Sequence, residues 1–177
     1  MITRVFFVRH GEVENPDNIW YGRLPEFPLS KNGKKQIEKT AQILSKENIT
    51  AIYASPLLRT KQSAEIISKK LGLSISYSDY ILEIKSTFQG KVNEYIRSHT
   101  DNFNIFTDET IDQVAQRMKK FIDEIIIKHK EQNIVIVTHG DPIMIVKAQK
   151  EGLLMEINSL RPLKGYIQPG EIYMAEF

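Results

Sequence analysis

Two short apolar segments, each typical of a buried β-strand, end in a histidine that is followed by a glycine. The first segment, residues 2–8, leads to His10, and the second, residues 134–137, leads to His139. In open α/β sheets the ligand site lies beyond the carboxyl ends of the parallel strands. We therefore expect the two histidines to meet at one edge of a sheet, although they are far apart in the sequence.

Short apolar segments alternate with amphipathic ones along the whole chain, which is typical of an α/β layered fold. The 177 residues are 41% hydrophobic and 26% charged, a length and composition suited to one globular domain. Because no internal repeat and no Pro/Gly/Ser-rich linker interrupts the sequence, we predict a single domain over residues 1–177. Its predicted fold is a three-layer αβα sandwich around a mostly parallel sheet, with a small lid or excursion around residues 84–108.

Several residues predict where helices and strands begin. Ser30 and Thr110 are suited to cap amphipathic helices, and Thr110 precedes the most regular apolar stripe of the chain. Ser55 followed by Pro56 predicts a helix with serine at the N-cap and proline at its first position. Residues 171–177 alternate in polarity like a terminal edge strand.

Composition removes several classes of function. The chain has no cysteine, which excludes thiolate nucleophiles, cysteine-ligated zinc and iron–sulfur clusters. A net charge of +2 lacks the basic excess of nucleic-acid-binding proteins, so we expect no nucleic-acid partner. The apolar run at residues 5–8 is much shorter than a signal-peptide core or a membrane span, so we expect no membrane association and a cytoplasmic location.

Two arginines are predicted to join the histidines at the edge of the sheet. Arg9 directly precedes His10, and its planar guanidinium group suits phosphate or carboxylate. Arg59 lies near the start of the helix predicted after Ser55, where the helix N-terminus also favours anions. Gly140, which follows His139, lets the backbone approach a ligand and present an N–H group to it. Together these groups favour the binding of a phosphoryl group.

Three motifs then show a family resemblance. Val-Arg-His-Gly-Glu at 8–12, Ser-Pro-Leu-Leu-Arg-Thr at 55–60 and Val-Thr-His-Gly at 137–140 resemble, in this order, the histidine phosphatase superfamily. That superfamily includes the cofactor-dependent phosphoglycerate mutases. Residues 29–36, with serine, glycine and glutamine at set spacing, are similar to a further segment of the family, whereas the sequence between 66 and 134 matches weakly.

The resemblance implies a phosphoryl-transfer mechanism without a metal or another cofactor. His10 is the implied nucleophile, which forms a phosphohistidine intermediate. Arg9, Arg59 and His139 would neutralise the phosphoryl oxygens during transfer. The departing alkoxide needs a proton from a carboxylic acid that is held protonated by burial or by neighbouring charge. Glu83 is the implied acid because it follows a short apolar segment, as the acid of the family does.

The segment after Glu83 departs from the family pattern. It lacks the glycine that follows the acid in many members and has phenylalanine in place of a tryptophan. Glu12 and Glu94 therefore remain alternative acids.

Three further residues are candidates for contact with the substrate phosphate. One is the backbone of Gly140. Another is Asn15, which lies approximately where the mutases have an asparagine. The third is Arg23, which lies with Asn15 in a proline-rich loop predicted over residues 15–30. The alternative for Arg23 is that its side chain is solvated and does not contact the substrate.

The preferred function is hydrolysis of a phosphomonoester in a small phosphorylated metabolite or a phosphoprotein. The short chain and the missing mutase features favour hydrolysis over a phosphoglycerate-mutase-type isomerisation, which would use the same residues. A metal-dependent hydrolase is a third possibility, because His10 and His139 are each followed two positions later by a carboxylate. A non-catalytic phosphate-binding module is the fourth.

Overall fold

Five strands form one sheet in the computed structural model, which describes residues 2–95, 108–155 and 165–177. The strands are β1 (Arg4–Arg9), β2 (Ile49–Ala54), β3 (Ile75–Tyr77), β4 (Asn133–Thr138) and β5 (Ile172–Glu176). Their order in the sheet is β3-β2-β4-β1-β5. Strands β1 to β4 pair in parallel, and β5 runs antiparallel to β1 at the edge. The mostly parallel sheet and the terminal edge strand are confirmed.

Helices cover both faces of this sheet. They are α1 (Lys31–Leu44), α2 (Leu58–Leu71), α3 (Ile111–Lys128) and α4 (Gly140–Glu151), with a turn of 3₁₀ helix at Asp79–Ile81. Side chains alternate along β1, so that Phe6 packs with α1 and α2 while Phe7 packs with α3 and α4. The result is the predicted three-layer αβα arrangement. Within the described ranges, no helix is long and apolar enough to cross a membrane.

Two of the predicted helix starts are confirmed and one is wrong. The Ser30 hydroxyl accepts a hydrogen bond from Gly33 N at 2.9 Å, and Thr110 forms a capping box with α3. Helix α2, however, begins at Leu58 rather than directly after Ser55. The Ser55 side chain does not cap it, because its hydroxyl lies 2.8 Å from Nε2 of His139.

The register of the parallel strands brings their carboxyl ends together. The backbone N–H of His10 donates to the carbonyl of Thr138 at 3.0 Å, and that of Ser55 donates to the carbonyl of Val137 at 3.0 Å. The residues that follow β1, β2 and β4 therefore lie side by side at one edge of the sheet, as the sequence predicts for the two histidines.

Two connecting segments pair with each other. An isolated antiparallel bridge joins Ile19, in the loop between β1 and α1, to Val92. Beside it, Trp20 N donates to Lys91 O at 2.8 Å, and Gly90 N donates to Trp20 O at 2.9 Å. Residues 96–107 of the predicted lid lie outside the described residues, so the lid stays a prediction there.

Candidate active site

His10 is buried directly after β1, and its hydrogen bonds define its tautomer. One ring nitrogen, Nδ1, lies 2.8 Å from the carbonyl oxygen of Gly11, which can only accept a hydrogen bond. The other, Nε2, lies 3.2 Å from Nε of Arg59, which can only donate. The proton is therefore on Nδ1, and Nε2 carries a lone pair that points towards the arginine.

The surroundings of His10 also keep its ring neutral. Burial lowers the pKa of the imidazole well below its ordinary value, and the positive charges of Arg59 and Arg9 lower it further. The hydrogen bond to Gly11 raises the pKa, but by less. At neutral pH the ring is thus an uncharged base whose Nε2 keeps its lone pair, which is the form that can act as a nucleophile.

His139 lies beside His10, between the end of β4 and the start of α4. The two ring centroids are 5.3 Å apart. Burial lowers the pKa of His139 well below its ordinary value, and the charge of Arg59 adds to this. Its Nε2 lies 2.8 Å from the Ser55 hydroxyl, whereas Nδ1 is buried and has no hydrogen-bond partner among the described residues.

The two arginines are held in place by contacts on one side of each guanidinium group. Arg59 is fully buried, donates from Nη2 to the carbonyl of Gly22 at 2.5 Å and lies 4.8 Å from the ring centroid of Tyr21. Arg9 donates from Nη1 to the carbonyl of Ile167 at 2.6 Å and lies 5.2 Å from the ring centroid of Tyr166. These contacts orient both cations next to the histidines.

Three buried side-chain nitrogens in the described ranges lack a hydrogen-bond partner, and all three belong to this group of residues. They are Nε of Arg9, Nη1 of Arg59 and Nδ1 of His139. A buried donor without an acceptor costs about 1–3 kcal/mol, and a buried cation without an anion costs more. An anion with several oxygen atoms would supply the missing acceptors, so the site is suited to a tetrahedral oxyanion such as phosphate.

Two glycines let α1 pack against the peptide that follows His10. A Cβ atom on Gly33 would lie 2.0 Å from the carbonyl oxygen of Glu12, and one on Gly11 would lie 2.5 Å from the carbonyl oxygen of Gly33. The backbone N–H of Gly11 also donates to the hydroxyl of Ser63 in α2, at 3.2 Å. Helices α1 and α2 thus both fix the chain next to the nucleophile.

Glu83 is electrostatically coupled to the site. Its side chain is partly buried after the 3₁₀ turn, and Oε1 accepts a hydrogen bond from the backbone N–H of Ile84 at 2.9 Å. Burial lowers the pKa of Arg59, and the carboxyl group of Glu83, in its ionised form, raises it. The carboxyl group of Glu83 therefore acts directly on the arginine that contacts His10.

The two alternative acids have different surroundings. The carboxylate of Glu12 accepts hydrogen bonds from the Ser30 hydroxyl at 2.5 Å and from Nδ2 of Asn32 at 2.9 Å. These bonds lower the pKa of Glu12, which opposes a role as a proton donor. Glu94 is exposed. Of the three carboxyl groups, Glu83 suits the role best.

The structure does not bring Asn15 and Arg23 into the group around His10. Both polar atoms of the Asn15 side chain bond to the backbone of Ile19, which closes a turn within their loop. Arg23 forms an ion pair with Glu109 at 2.6 Å and donates from Nε to the carbonyl of Glu83 at 2.6 Å. The phosphate contacts expected of these two side chains therefore have no support from their positions.

Gly140 is at the first position of α4, where backbone N–H groups have no partner within the helix. A Cβ atom there would lie 2.1 Å from the Tyr166 hydroxyl, so a larger residue would have to displace the Tyr166 side chain. Sequence reasoning missed Ser55 and Tyr166 as parts of the site. The position of Ser55 at the end of β2 was an available signal, whereas Tyr166 reaches Arg9 from a segment that carries no motif.

The fold and the site together define an α/β protein with the phosphoglycerate mutase-like architecture and a buried cationic site beside two histidines. A family model matches residues 5–164 and identifies the group within this class. The chain belongs to the histidine phosphatase superfamily (branch 1).

Relatives and solved structures are consistent with this membership. Phosphoserine phosphatase 1 of Hydrogenobacter thermophilus is 32% identical over 155 residues, which cover 80% of this chain and 73% of that protein. Phosphoglycerate mutase-like protein 4 of Arabidopsis thaliana is 30% identical over 157 residues, covering 80% of this chain and 68% of that protein. A mycobacterial glucosyl-3-phosphoglycerate phosphatase superposes with a TM-score of 0.84 at 20% identity, over 99% of this chain and 91% of that chain.

Proposed function

We propose that this protein is a phosphomonoester hydrolase that needs no metal ion and works through a phosphohistidine on His10. The observation that carries the proposal is the set of three unpartnered buried nitrogens, on Arg9, Arg59 and His139, beside a neutral nucleophile. A phosphoryl group supplies the acceptors that these nitrogens lack, and it brings a phosphorus atom to the lone pair of His10. Glu83 is the proposed acid.

The first chemical step transfers the phosphoryl group to the enzyme. An oxygen of the bound phosphate accepts the Nε–H of Arg59, which frees the lone pair on Nε2 of His10. That lone pair forms the nitrogen–phosphorus bond while the ester phosphorus–oxygen bond breaks, and Glu83 gives its proton to the departing alkoxide. Arg9, Arg59 and His139 balance the charge on the remaining phosphoryl oxygens, and this electrostatic term is usually the largest in phosphoryl transfer.

The second step returns the enzyme to its starting state. The Glu83 carboxylate takes a proton from a water molecule, whose oxygen attacks phosphorus. The nitrogen–phosphorus bond breaks, and the electron pair returns to Nε2 of His10. Inorganic phosphate is released, Glu83 is again protonated, and no redox change or external co-reactant other than water is needed.

Hydrolysis is favoured over isomerisation, and a small phosphorylated metabolite is the proposed substrate class. The relative named phosphoserine phosphatase 1 supports both statements. The relative named phosphoglycerate mutase-like protein 4 supports the isomerase as a second candidate. The two activities share the phosphohistidine and differ in whether water or a phosphate acceptor reacts with it.

The carboxylates that could assist metal binding by the two histidines have other partners. Glu12 bonds to the N-terminal turn of α1, and Asp141 accepts a hydrogen bond from the Tyr166 hydroxyl at 2.8 Å. Among the residues that the structure describes, no three histidine or acidic side chains are grouped as a metal site. Metal-independent chemistry is therefore the better supported proposal.

Hydrolysis of p-nitrophenyl phosphate, with and without EDTA, tests the proposal. We expect activity to survive EDTA and to be lost in His10→Ala, whereas His129→Gln, outside the site, should retain it. An acid-labile, alkali-stable phosphoprotein should be trapped from the wild type and be absent in His10→Ala. Loss of activity in EDTA would instead favour the metal-dependent alternative, and conversion of 3-phosphoglycerate to 2-phosphoglycerate without phosphate release would favour the isomerase.

A further inference from the structure

A cluster of charged residues lies behind Glu83 and has no part in the mechanism described so far. It consists of Glu109, Arg23 and Arg117, which come from the segment before α3, the loop after β1 and α3 itself. Resting on the function proposed above, we propose that Glu109 is a positioning residue: it clamps Arg23 and Arg117 onto the main chain of Glu83 and so aims the acid at the leaving group.

Glu109 is the centre of this cluster. Its Oε1 accepts a hydrogen bond from Nε of Arg117 at 2.7 Å. Its Oε2 accepts from Nη2 of Arg23 at 2.6 Å, from Nη2 of Arg117 at 3.2 Å and from the backbone N–H of Lys85 at 3.2 Å. A carboxylate with four donors, three of them from the two arginines, holds a fixed orientation.

The two arginines continue from Glu109 to the backbone of the acid. Arg23 donates from Nε to the carbonyl of Glu83 at 2.6 Å, and Arg117 donates from Nη2 to the same carbonyl at 3.3 Å. Arg117 also donates from Nη1 to the carbonyl of Tyr80 at 2.6 Å. The main chain is thus fixed at three places: at Tyr80 before the acid, at Glu83 itself and at Lys85 after it.

The charges and burial of the cluster are suited to this role. The Glu109 side chain is 15% exposed, and those of Arg117 and Arg23 are 14% and 25% exposed. Burial raises the pKa of Glu109, but the hydrogen bond and charge of Arg117 and the charge of Arg23 lower it to below its ordinary value. Glu109 therefore stays ionised and offsets part of the positive charge placed next to the acid.

The hydrogen bonds of the cluster are separate from those that orient His10, Arg9 and Arg59, although the charge of Arg117 also contributes to the lowered pKa of His139. Among the described residues, none of these seven hydrogen bonds goes to His10, Arg9 or Arg59. Loosening the cluster should therefore impair protonation of the leaving group more than phosphate binding or nucleophilic attack. This selectivity separates a positioning role from a general contribution to folding.

The test measures kcat/KM of Glu109→Gln for p-nitrophenyl phosphate and for an alkyl phosphate such as phosphoserine. This quantity includes only the steps up to departure of the alcohol. A p-nitrophenolate leaves without a proton, whereas an alkoxide needs one, and a general acid contributes about 10²–10⁴-fold. We expect Glu109→Gln to lose at least about tenfold on the alkyl phosphate and to keep its value on p-nitrophenyl phosphate.

A matched control and a second variant accompany this measurement. Asp123→Asn removes the carboxylate of an exposed ion pair with Lys119 on the same helix and should change neither substrate. Arg117→Lys keeps the positive charge but loses the guanidinium geometry, and it should show the same selective loss as Glu109→Gln. Activity on p-nitrophenyl phosphate reports in each case that the protein is folded. If Glu109→Gln does not fold, Arg117→Lys decides the question.

Combining variants shows whether the effect passes through Glu83. In a Glu83→Gln background, Glu109→Gln should cause no further loss on the alkyl phosphate, because the group that it positions is gone. Equal losses on both substrates, no loss on either, or additive losses in the double variant would each overturn the positioning role. These outcomes leave the proposed function intact, because that function is tested separately by activity in EDTA, by phosphate release and by trapping of the phosphohistidine on His10.

Discussion

His10 and His139 differ from ordinary surface histidines because burial and arginine charges hold both rings neutral. Burial is the larger cause for each, and Arg59 is the strongest charge acting on each. Neutrality serves the two rings differently under the proposed mechanism. His10 needs its lone pair for attack on phosphorus, whereas His139 is proposed to donate from Nδ1 to a phosphoryl oxygen.

The lowered pKa values predict that stability falls as the solution becomes acidic. Histidine in an unfolded chain titrates near pH ~6.5, so below this pH the unfolded state binds protons that the folded state does not. The stabilisation is fully present above that pH and decreases towards the lowered folded pKa values, by up to about 1.4 kcal/mol per pH unit for each histidine. Urea unfolding at about pH 7.5 and 5.5 measures the decrease. The His10→Gln/His139→Gln variant should show a smaller decrease, and an equal one would contradict the prediction.

Sequence reasoning found the residues whose chemistry is local and missed those placed by distant contacts. His10 and His139 follow apolar strands directly. Because the carboxyl ends of parallel strands lie at one edge of a sheet, the two histidines are expected to meet there. Arg23 gave no comparable signal. Its side chain is placed by an ion pair with Glu109, which is far away in the sequence and belongs to no motif. The proline-rich loop therefore suggested substrate contact, whereas the structure shows an ion pair.

At the scale of elements, the site depends on how closely α1 approaches the end of β1. Ser30 caps α1 and also donates to Glu12, while Gln36 accepts from the backbone N–H of Glu12 at 2.9 Å. Gly33 makes this approach possible because no side chain separates the helix from the peptide. The serine, glycine and glutamine that resemble the family at this place thus form one packing unit.

Gly33→Ala tests this packing, because two effects of the added methyl group change the free energy of unfolding in opposite directions. Helix propensity alone would stabilise α1 by about 1 kcal/mol, since alanine is a better helix former than glycine. A Cβ atom 2.0 Å from the carbonyl of Glu12 must instead displace the helix or the peptide, at a cost of about 1–3 kcal/mol or more. We expect a lower free energy of unfolding in urea, together with a lower kcat/KM because His10 is next to the displaced peptide.

Gly152→Ala is the control for that experiment. A Cβ atom at Gly152 meets nothing within 4 Å, but its φ of 65° is unfavourable for alanine and costs roughly 1–2 kcal/mol. This variant should lose stability without losing kcat/KM. Stabilisation by Gly33→Ala would show that the packing of α1 is not as tight as the structure indicates.

The boundaries of elements were less predictable than their existence. The strands expected at residues 2–8, 134–137 and 171–177 and the helices capped by Ser30 and Thr110 follow from the apolar pattern and the capping residues, and the structure confirms them. The start of α2 was misplaced because Ser55 and Pro56 satisfy the local rule for a helix N-terminus. A tertiary contact, from Ser55 to His139, takes the hydroxyl that the local rule assigns to capping.

At the scale of the whole molecule, a near-neutral chain contains a concentrated positive site. The net charge is +2, yet Arg9 and Arg59 lie together beside two neutral histidines, and Arg59 is fully buried. The near-neutral total and the local excess agree with a small anionic ligand rather than an extended one. An anion that supplies acceptors to these buried donors therefore stabilises the folded state.

Inorganic phosphate should therefore stabilise the folded protein. A ligand that binds only the folded state at 100 times its dissociation constant adds about 2.7 kcal/mol to the free energy of unfolding. We expect phosphate to raise Tm relative to sodium chloride of equal ionic strength, and EDTA to leave this increase unchanged. Arg59→Met should abolish the increase because it removes a buried donor of the site, whereas Arg4→Met, which breaks only an exposed ion pair with Glu176, should keep it. Equal increases in the wild type and Arg59→Met would place the phosphate somewhere other than beside His10.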